Sequence, residues 1–179
     1  ALDNAILVQR AEALSVTDDL TQLYNSRYLS QVLRRETKRA SRSGRPLSLL
    51  FVDLDGFKSI NDTHGHLFGS RALVEAASVI RASRGETDMA APSGGEESAL
   101  IFPTPASEGP PAVGDRVRDR IAAFSFLRGD GLNIPLTVSV GVATLPDVAA
   151  SADGLIQAAD EAMYWVKSHG KNGIHVAGG

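Results

Sequence analysis

At 179 residues with 43% hydrophobic side chains, the chain can bury one core, and at roughly 150 residues per domain a single domain with an extension is expected. A net charge of −3 and no basic block argue against a general nucleic-acid or anionic-membrane binder, while leaving room for a local basic site that takes phosphates. The absence of cysteine excludes disulfides, zinc–thiolate sites and cysteine nucleophiles and is compatible with a reducing compartment. No apolar run approaches the roughly 18 residues of a membrane span and no signal peptide is visible, which predicts a soluble, cytoplasmic stretch.

Ala1 to Val16 holds Leu2, Ile6 and Leu14 among several alanines with no Gly or Pro, which predicts a helix whose apolar stripe needs a partner. Thr17 to Asn25 has the texture of a structured turn, and Asn25 or Ser26 is placed to cap a helix through Tyr28, Leu29, Val32 and Leu33. Ser41 to Pro46 reads as a loop. Leu47 to Val52 is too apolar for anything but a buried strand, so Asp53 and Asp55 emerge at the rim of a sheet. Gly56 lets the backbone approach a ligand, and the amides of Gly56, Phe57 and Lys58 are placed to cradle phosphate. A helix is predicted from about Gly69 to Ser83, burying Leu73, Ala76, Ala77 and Ile80.

Asp88 to Ala91 and Ser98 to Phe102 read as the arms of a hairpin, with Gly94-Gly95 at its tip supplying the positive φ of a tight turn. Pro110 or Pro111 starts a helix through Val113, Val117 and Ile121. Leu136, Val138, Val140 and Val142 alternate with Thr137, Ser139 and Gly141, a strand. The last helix, about Ala152 to Ser168, sets Leu155, Ile156, Ala159, Ala162, Met163 and Val166 on one face and ends at Gly170. Strand, helix, strand, strand, helix, strand and a final helix predict an α+β domain on the ferredoxin-like, palm-type βαββαβ plan, a central mixed and mostly antiparallel sheet flanked by helices. Because that plan hosts many chemistries, function rests on the site. Asp53 and Asp55 at a strand end, facing Glu96 and Glu97 beside a hairpin, make an oxygen-rich site suited to Mg²⁺ and substrate phosphates.

From Asp18-Asp19-Leu20-Thr21 through Ser93-Gly94-Gly95-Glu96-Glu97-Ser98 to Lys171-Asn172, these motifs resemble the GGDEF family, the diguanylate cyclases, whose hairpin reads Gly-Gly-Asp/Glu-Glu-Phe. The fold implied is that of the class III nucleotide cyclases. The resemblance implies a nucleotidyl cyclase domain over residues 17–179 and a helical stalk or linker over residues 1–16, leading from an upstream sensory or receiver domain. It implies Asp53 and Glu96 as ligands of Mg²⁺ or Mn²⁺, with the Leu54 carbonyl as a main-chain ligand. Glu97 is the second acid, which orders the site or assists deprotonation, and the residues leave open which glutamate is the base. Lys58 matches the lysine of the phosphate loop, and Lys167 and Lys171 match the basic positions that hold the β- and γ-phosphates. Lys171 stands where Arg is common, so a bidentate grip becomes a point charge. His64 and His66 match a loop-structuring turn rather than a metal site, and Trp165 is expected to pack.

Asn61 and Ser70 match the Asn and Asp that read guanine in the family. A carboxylate accepts the guanine N1–H and amino hydrogens but opposes the lone pair of adenine N1, so an Asp there excludes adenine and Ser70 removes that exclusion. Serine at this position resembles the hybrid, promiscuous (Hypr) branch, which makes 3′,3′-cyclic GMP-AMP beside cyclic di-GMP, so both GTP and ATP are expected substrates. Two copies must face each other, because one site cannot present both the 3′-hydroxyl and the attacked α-phosphate; a homodimer is expected, with no nucleic-acid or membrane contact.

The hairpin also departs from the family at Pro92, Ser93 and Ser98. Pro92 cannot donate to a strand ladder, and Ser98, in phase with Leu100 and Phe102, puts a hydroxyl where the family has Phe. The alternative function is a catalytically degenerate domain that binds GTP or serves as a regulatory or dimerisation module. Asp88 matches the acid of the family's Arg-x-x-Asp inhibitory motif, whose Arg position is Gly85 here, and Arg116 matches a basic position that contributes to that inhibitory site.

Overall fold

The computed structural model describes residues 6–10, 26–83, 97–102, 109–146 and 151–178. Its centre is a pair of antiparallel strands, Leu47–Asp55 (β2) and Thr137–Leu145 (β4), in register so that Leu50 faces Val142 and Asp55 faces Thr137. Both strands are buried along nearly their whole length because helices cover both faces of the sheet. Glu97–Phe102 (β3) runs antiparallel on the other edge of β2, and Ile6–Arg10 (β1) antiparallel on β3. Gly173–Val176 (β5) joins β4 in parallel, giving the order β1-β3-β2-β4-β5. This is the mixed, mostly antiparallel sheet flanked by helices that the element order predicted.

The helices are Ser26–Ser43 (α1), Phe57–His64 (α2), His66–Ser83 (α3), Pro110–Ala123 (α4) and Ala152–Ser168 (α5). Period-2 alternation along β2 divides the core. Leu50, Val52 and Leu54 pack with Ile60 of α2, Ala76 of α3 and Val117 of α4. Leu47, Leu49 and Phe51 pack with Leu33 of α1 and Leu155, Ala159 and Met163 of α5. Ser151 caps α5 by accepting the Gly154 N–H at 3.1 Å, and Pro110 opens α4 where a missing N–H costs nothing. Against Gly141 of β4, α5 approaches so closely that a Cβ there would lie 2.2 Å from the Ala159 carbonyl oxygen and 2.4 Å from the Met163 nitrogen.

Four expectations are corrected. Ile6–Arg10 is a strand rather than part of a helix: Ile-Leu-Val is a β-favouring run, and an edge of β3 is available to pair it. The segment after Gly56 forms a helix, α2, and α3 begins at His66 rather than Gly69. Strand β5 was not anticipated. Net charge also concealed a local run: α1 carries Arg34, Arg35, Lys38, Arg39 and Arg42 around the single acid Glu36. The first hairpin arm, Asp88 to Ala91, and the turn at Thr17 to Asn25 lie outside the described residues, as do the remaining parts of residues 1–16.

Candidate active site

Successive side chains on a strand point to opposite faces, so Asp53 and Asp55 follow Phe51 onto the α5 side of the sheet, at the end of β2. The last turn of α5 brings Lys167 to them. Its ammonium donates to Asp55 Oδ1 at 2.6 Å, lies 3.1 Å from Asp53 Oδ2, and is 3.5 Å from the Leu54 carbonyl oxygen. Asp55 is only 6% exposed, yet its carboxylate is fully engaged. Ser139 Oγ donates to Oδ1 at 2.8 Å, while Thr137 Oγ1 at 2.6 Å and the Asn172 amide at 3.0 Å donate to Oδ2.

Burial raises the Asp55 carboxyl, but the hydrogen bonds from Lys167, Thr137, the Asn172 amide and Ser139 outweigh it and leave the group below its ordinary range. Burial lowers Lys167, and there too the partners win: the hydrogen bond to Asp55 and the charges of Asp53 and Asp55 hold the ammonium above its ordinary value. Both groups stay charged. The chain leaving α5 turns through two left-handed residues, Lys171 (φ 60°) and Asn172 (φ 46°), and the Asn172–Asp55 bond holds that turn at the rim.

Glu97 opens β3 with its backbone opposite Asp53, and Ser98 stands opposite Val52. The sheet register therefore carries the second acid of the hairpin to the rim where Asp53 lies. Glu96, Pro92, Ser93 and Asp88 lie outside the described residues. Gly56, in the left-handed conformation at φ 83°, caps α2, so Phe57 and the exposed Lys58 begin a helix at the end of β2, with its first amides unsatisfied by the helix itself.

Asn61 lies on α2 and Ser70 in the first turns of α3, with Asn61 close to Gly69, the residue before Ser70. Asn61 Oδ1 is buried with no hydrogen-bond partner, and a Cβ on Gly69 would come within 1.8 Å of it, so the amide lies against the residue preceding Ser70. Arg116 is engaged elsewhere, donating to the Ser83 carbonyl at 2.6 Å beside Arg120 on Ala82 at 2.8 Å, two cations on the last carbonyls of α3. Trp165, expected to pack, is 46% exposed and stacked between the rings of His169 and His175, at 3.9 and 4.3 Å.

A cation already rests on the Asp53 carboxylate and the Leu54 carbonyl in the form of the Lys167 ammonium. Hard oxygens that attract a positive charge are the donors Mg²⁺ and Mn²⁺ take, so these residues fit such an ion. Among the described residues no three His, Asp or Glu side chains converge as ligands, which leaves Asp53 and Leu54 as the described part of the set. Residue-level reading had passed over Asp55 as anything beyond one of two rim acids. Its partners lie 82 to 117 positions away, and no local pattern announces them.

Comparison with known proteins identifies the family of the fold. Residues 15–173 match the family model described as diguanylate cyclase, GGDEF domain. The chain is 35% identical over 162 residues to the response regulator PleD of Caulobacter vibrioides, covering 90% of this chain and 36% of PleD. It thus spans well under half the length of that relative. Among solved structures it resembles the GGDEF domain of DgcB from Caulobacter crescentus in complex with c-di-GMP, with a TM-score of 0.78, 30% identity, and coverage of 95% of this chain and 100% of that one. The active GGEEF domain of a diguanylate cyclase from Vibrio cholerae superposes with a TM-score of 0.73 at 26% identity, over 84% of this chain and 95% of that one. With a family model matched over most of its length and a fold shared with solved members, the chain belongs to the GGDEF family of diguanylate cyclases.

Proposed function

We propose that this chain is the output domain of a cyclic dinucleotide synthase, which joins two nucleoside triphosphates with release of pyrophosphate. The observation that carries the reading is the cluster of Asp53, the Leu54 carbonyl and Lys167 at one end of the sheet, with Glu97 in register beside Asp53. Asp53, the Leu54 carbonyl and Glu96 would hold Mg²⁺ or Mn²⁺. When bound, the ion supplies charge neutralisation at the attacked phosphate. Lys167, Lys171, Lys58 and the first amides of α2 hold the remaining phosphate charge, and Glu96 or Glu97 takes the proton of the 3′-hydroxyl. The chemistry asks for positioning and fixed charge, which this rim offers.

Asn61 Oδ1 is a polar atom without a partner inside the domain, and its reading as a base-recognition group at the α2–α3 junction rests on its match to the Asn that reads guanine in the family. Ser70, standing where the family has Asp, leaves both bases acceptable, so the product class includes 3′,3′-cyclic GMP-AMP as well as cyclic di-GMP. Each copy holds one triphosphate and two copies face each other. Residues 1–16 connect to an upstream sensory or receiver domain, and Asp88 with Arg116 forms the remnant of an inhibitory site.

The test is incubation with Mg²⁺ and GTP, ATP or an equal mixture, with products identified by mass. Cyclic GMP-AMP from the mixture is expected, and Ser70→Asp should return the product to cyclic di-GMP. Cyclic di-GMP alone from the wild type would remove the base-choice reading and keep the enzyme. The altered hairpin, with Ser98 at a core-phase position, favours a second reading of a GTP-binding module without turnover; a folded dimer that binds GTP and yields no cyclic product would establish it.

A further inference from the structure

The Lys167 ammonium has three N–H donors, and three acceptors surround it: Asp55 Oδ1, Asp53 Oδ2 and the Leu54 carbonyl, at 2.6, 3.1 and 3.5 Å. Two of those acceptors are the groups assigned to the divalent cation. Asp55 is the partner that the cation does not claim, and it also makes the shortest of the three contacts.

Nor can Asp55 do chemistry of its own. A carboxylate offers about four lone-pair positions, and Thr137, Ser139, Lys167 and the Asn172 amide fill them. The first two donors come from β4, a strand locked to β2 by nine register pairs from Leu47↔Leu145 to Asp55↔Thr137, so the carboxylate is braced from the sheet. The other two come from the end of α5 and the segment after it: the α5 lysine itself, and the left-handed turn that carries Lys171.

Resting on the functional reading above, we propose that Asp55 is a positioning residue. Braced by Thr137 and Ser139, it pins the Lys167 ammonium and the Lys171–Asn172 turn to the sheet rim, so that both cations keep their aim at the triphosphate whatever Asp53 and Leu54 are bound to. A hydrogen bond to an ionised group is worth enough that losing it costs about 10- to 100-fold in affinity.

A double-mutant cycle reads this directly. Binding of 3′-deoxy-GTP with Mg²⁺, which lacks the attacking hydroxyl and does not turn over, is measured by calorimetry for the wild type, Asp55→Asn, Lys167→Met and the double variant. Each single variant is expected to weaken binding about 10- to 100-fold, and the double variant by clearly less than the product of the two losses, because much of what Asp55 does passes through Lys167 and only its hold on the Lys171–Asn172 turn is independent of that lysine. Multiplying losses would mean that Asp55 serves the fold generally, and unchanged binding by Asp55→Asn would mean that it serves nothing here; either overturns the proposal alone. A wild type that does not bind 3′-deoxy-GTP overturns the functional reading and this inference with it. If Asp55→Asn does not fold, the cycle is run with Thr137→Val plus Ser139→Ala, which remove the braces and keep the charge. That pair is expected to lose about 3- to 10-fold and, again, to combine with Lys167→Met to less than the product of the two losses.

Discussion

Glycine at position 69 is what admits the Asn61 amide to the α2–α3 junction, because a Cβ there would lie 1.8 Å from Oδ1 and 2.9 Å from Cγ. The clash is with a side chain, so the fold can yield by turning Asn61 away, and on the role proposed for Asn61 the damage falls on recognition more than on stability. Gly69→Ala is expected to lower GTP affinity about 10-fold, the scale of one displaced recognition contact, with the melting temperature nearly unchanged. Calorimetry beside a thermal scan checks both halves. A large fall in melting temperature with intact affinity would instead make Gly69 a packing residue. Asp55 differs in kind: four donors meet it, so its replacement disturbs an arrangement that no rotation can relieve.

At the scale of elements, the contact of β4 with α5 carries the site. A Cβ at position 141 would collide with backbone atoms of Ala159 and Met163 at 2.2 to 2.9 Å, and backbone cannot swing aside as a side chain does. Gly141→Ala is therefore expected to destabilise the domain by about 3 kcal/mol and to lift α5, with Lys167, off the rim. Urea unfolding and triphosphate affinity should fall together. At the opposite edge, β1 shields β3. Adjacent residues on a strand aim their N–H groups at opposite edges, so one of Leu7→Pro and Val8→Pro removes a bond to β3 and the other does not. Hydrogen exchange at Ala99 to Ile101 is expected to speed up in one variant and stay unchanged in its neighbour.

These elements also show where sequence alone carries an argument. Strands β2 and β4 were legible because burial on both faces leaves a continuous or alternating apolar run, and α5 because its stripe, serine cap and terminal glycine agree. Ile6–Arg10 was misread because alanines on either side suggest a helix while the pairing that makes it a strand lies about ninety residues away. Helix α2 is short and polar, held by Phe57 and Ile60 alone among its buried residues, and β5 is four residues long with its partner in parallel. Candidate metal-side and phosphate-side residues can be named from motifs. That Lys167 rests on Asp53 and Asp55 could not, because it depends on how α5 lies across the sheet.

For the whole molecule, one sheet covered on both sides places the candidate acids, Lys167 and Lys171 at one end of the strands. The proposed condensation of two triphosphates then calls for a second copy with the same end turned toward the first. At concentrations where few dimers form, product formation is expected to rise nearly with the square of enzyme concentration and to become linear once dimers saturate. A rate titration beside sedimentation checks this, and linearity from a demonstrated monomer would remove the two-copy mechanism.

The near-contact of β4 and α5 at Gly141 has a mechanical meaning for such a molecule. Where two elements touch through side chains they can slip by a rotamer, as on a bearing; where they touch backbone to backbone they are welded. A frame held so closely at Gly141 is expected to leave a controlling signal little shape to change at the Lys167 end. Control of a domain built this way is expected to work as a carriage does, bringing finished sites together or holding them apart.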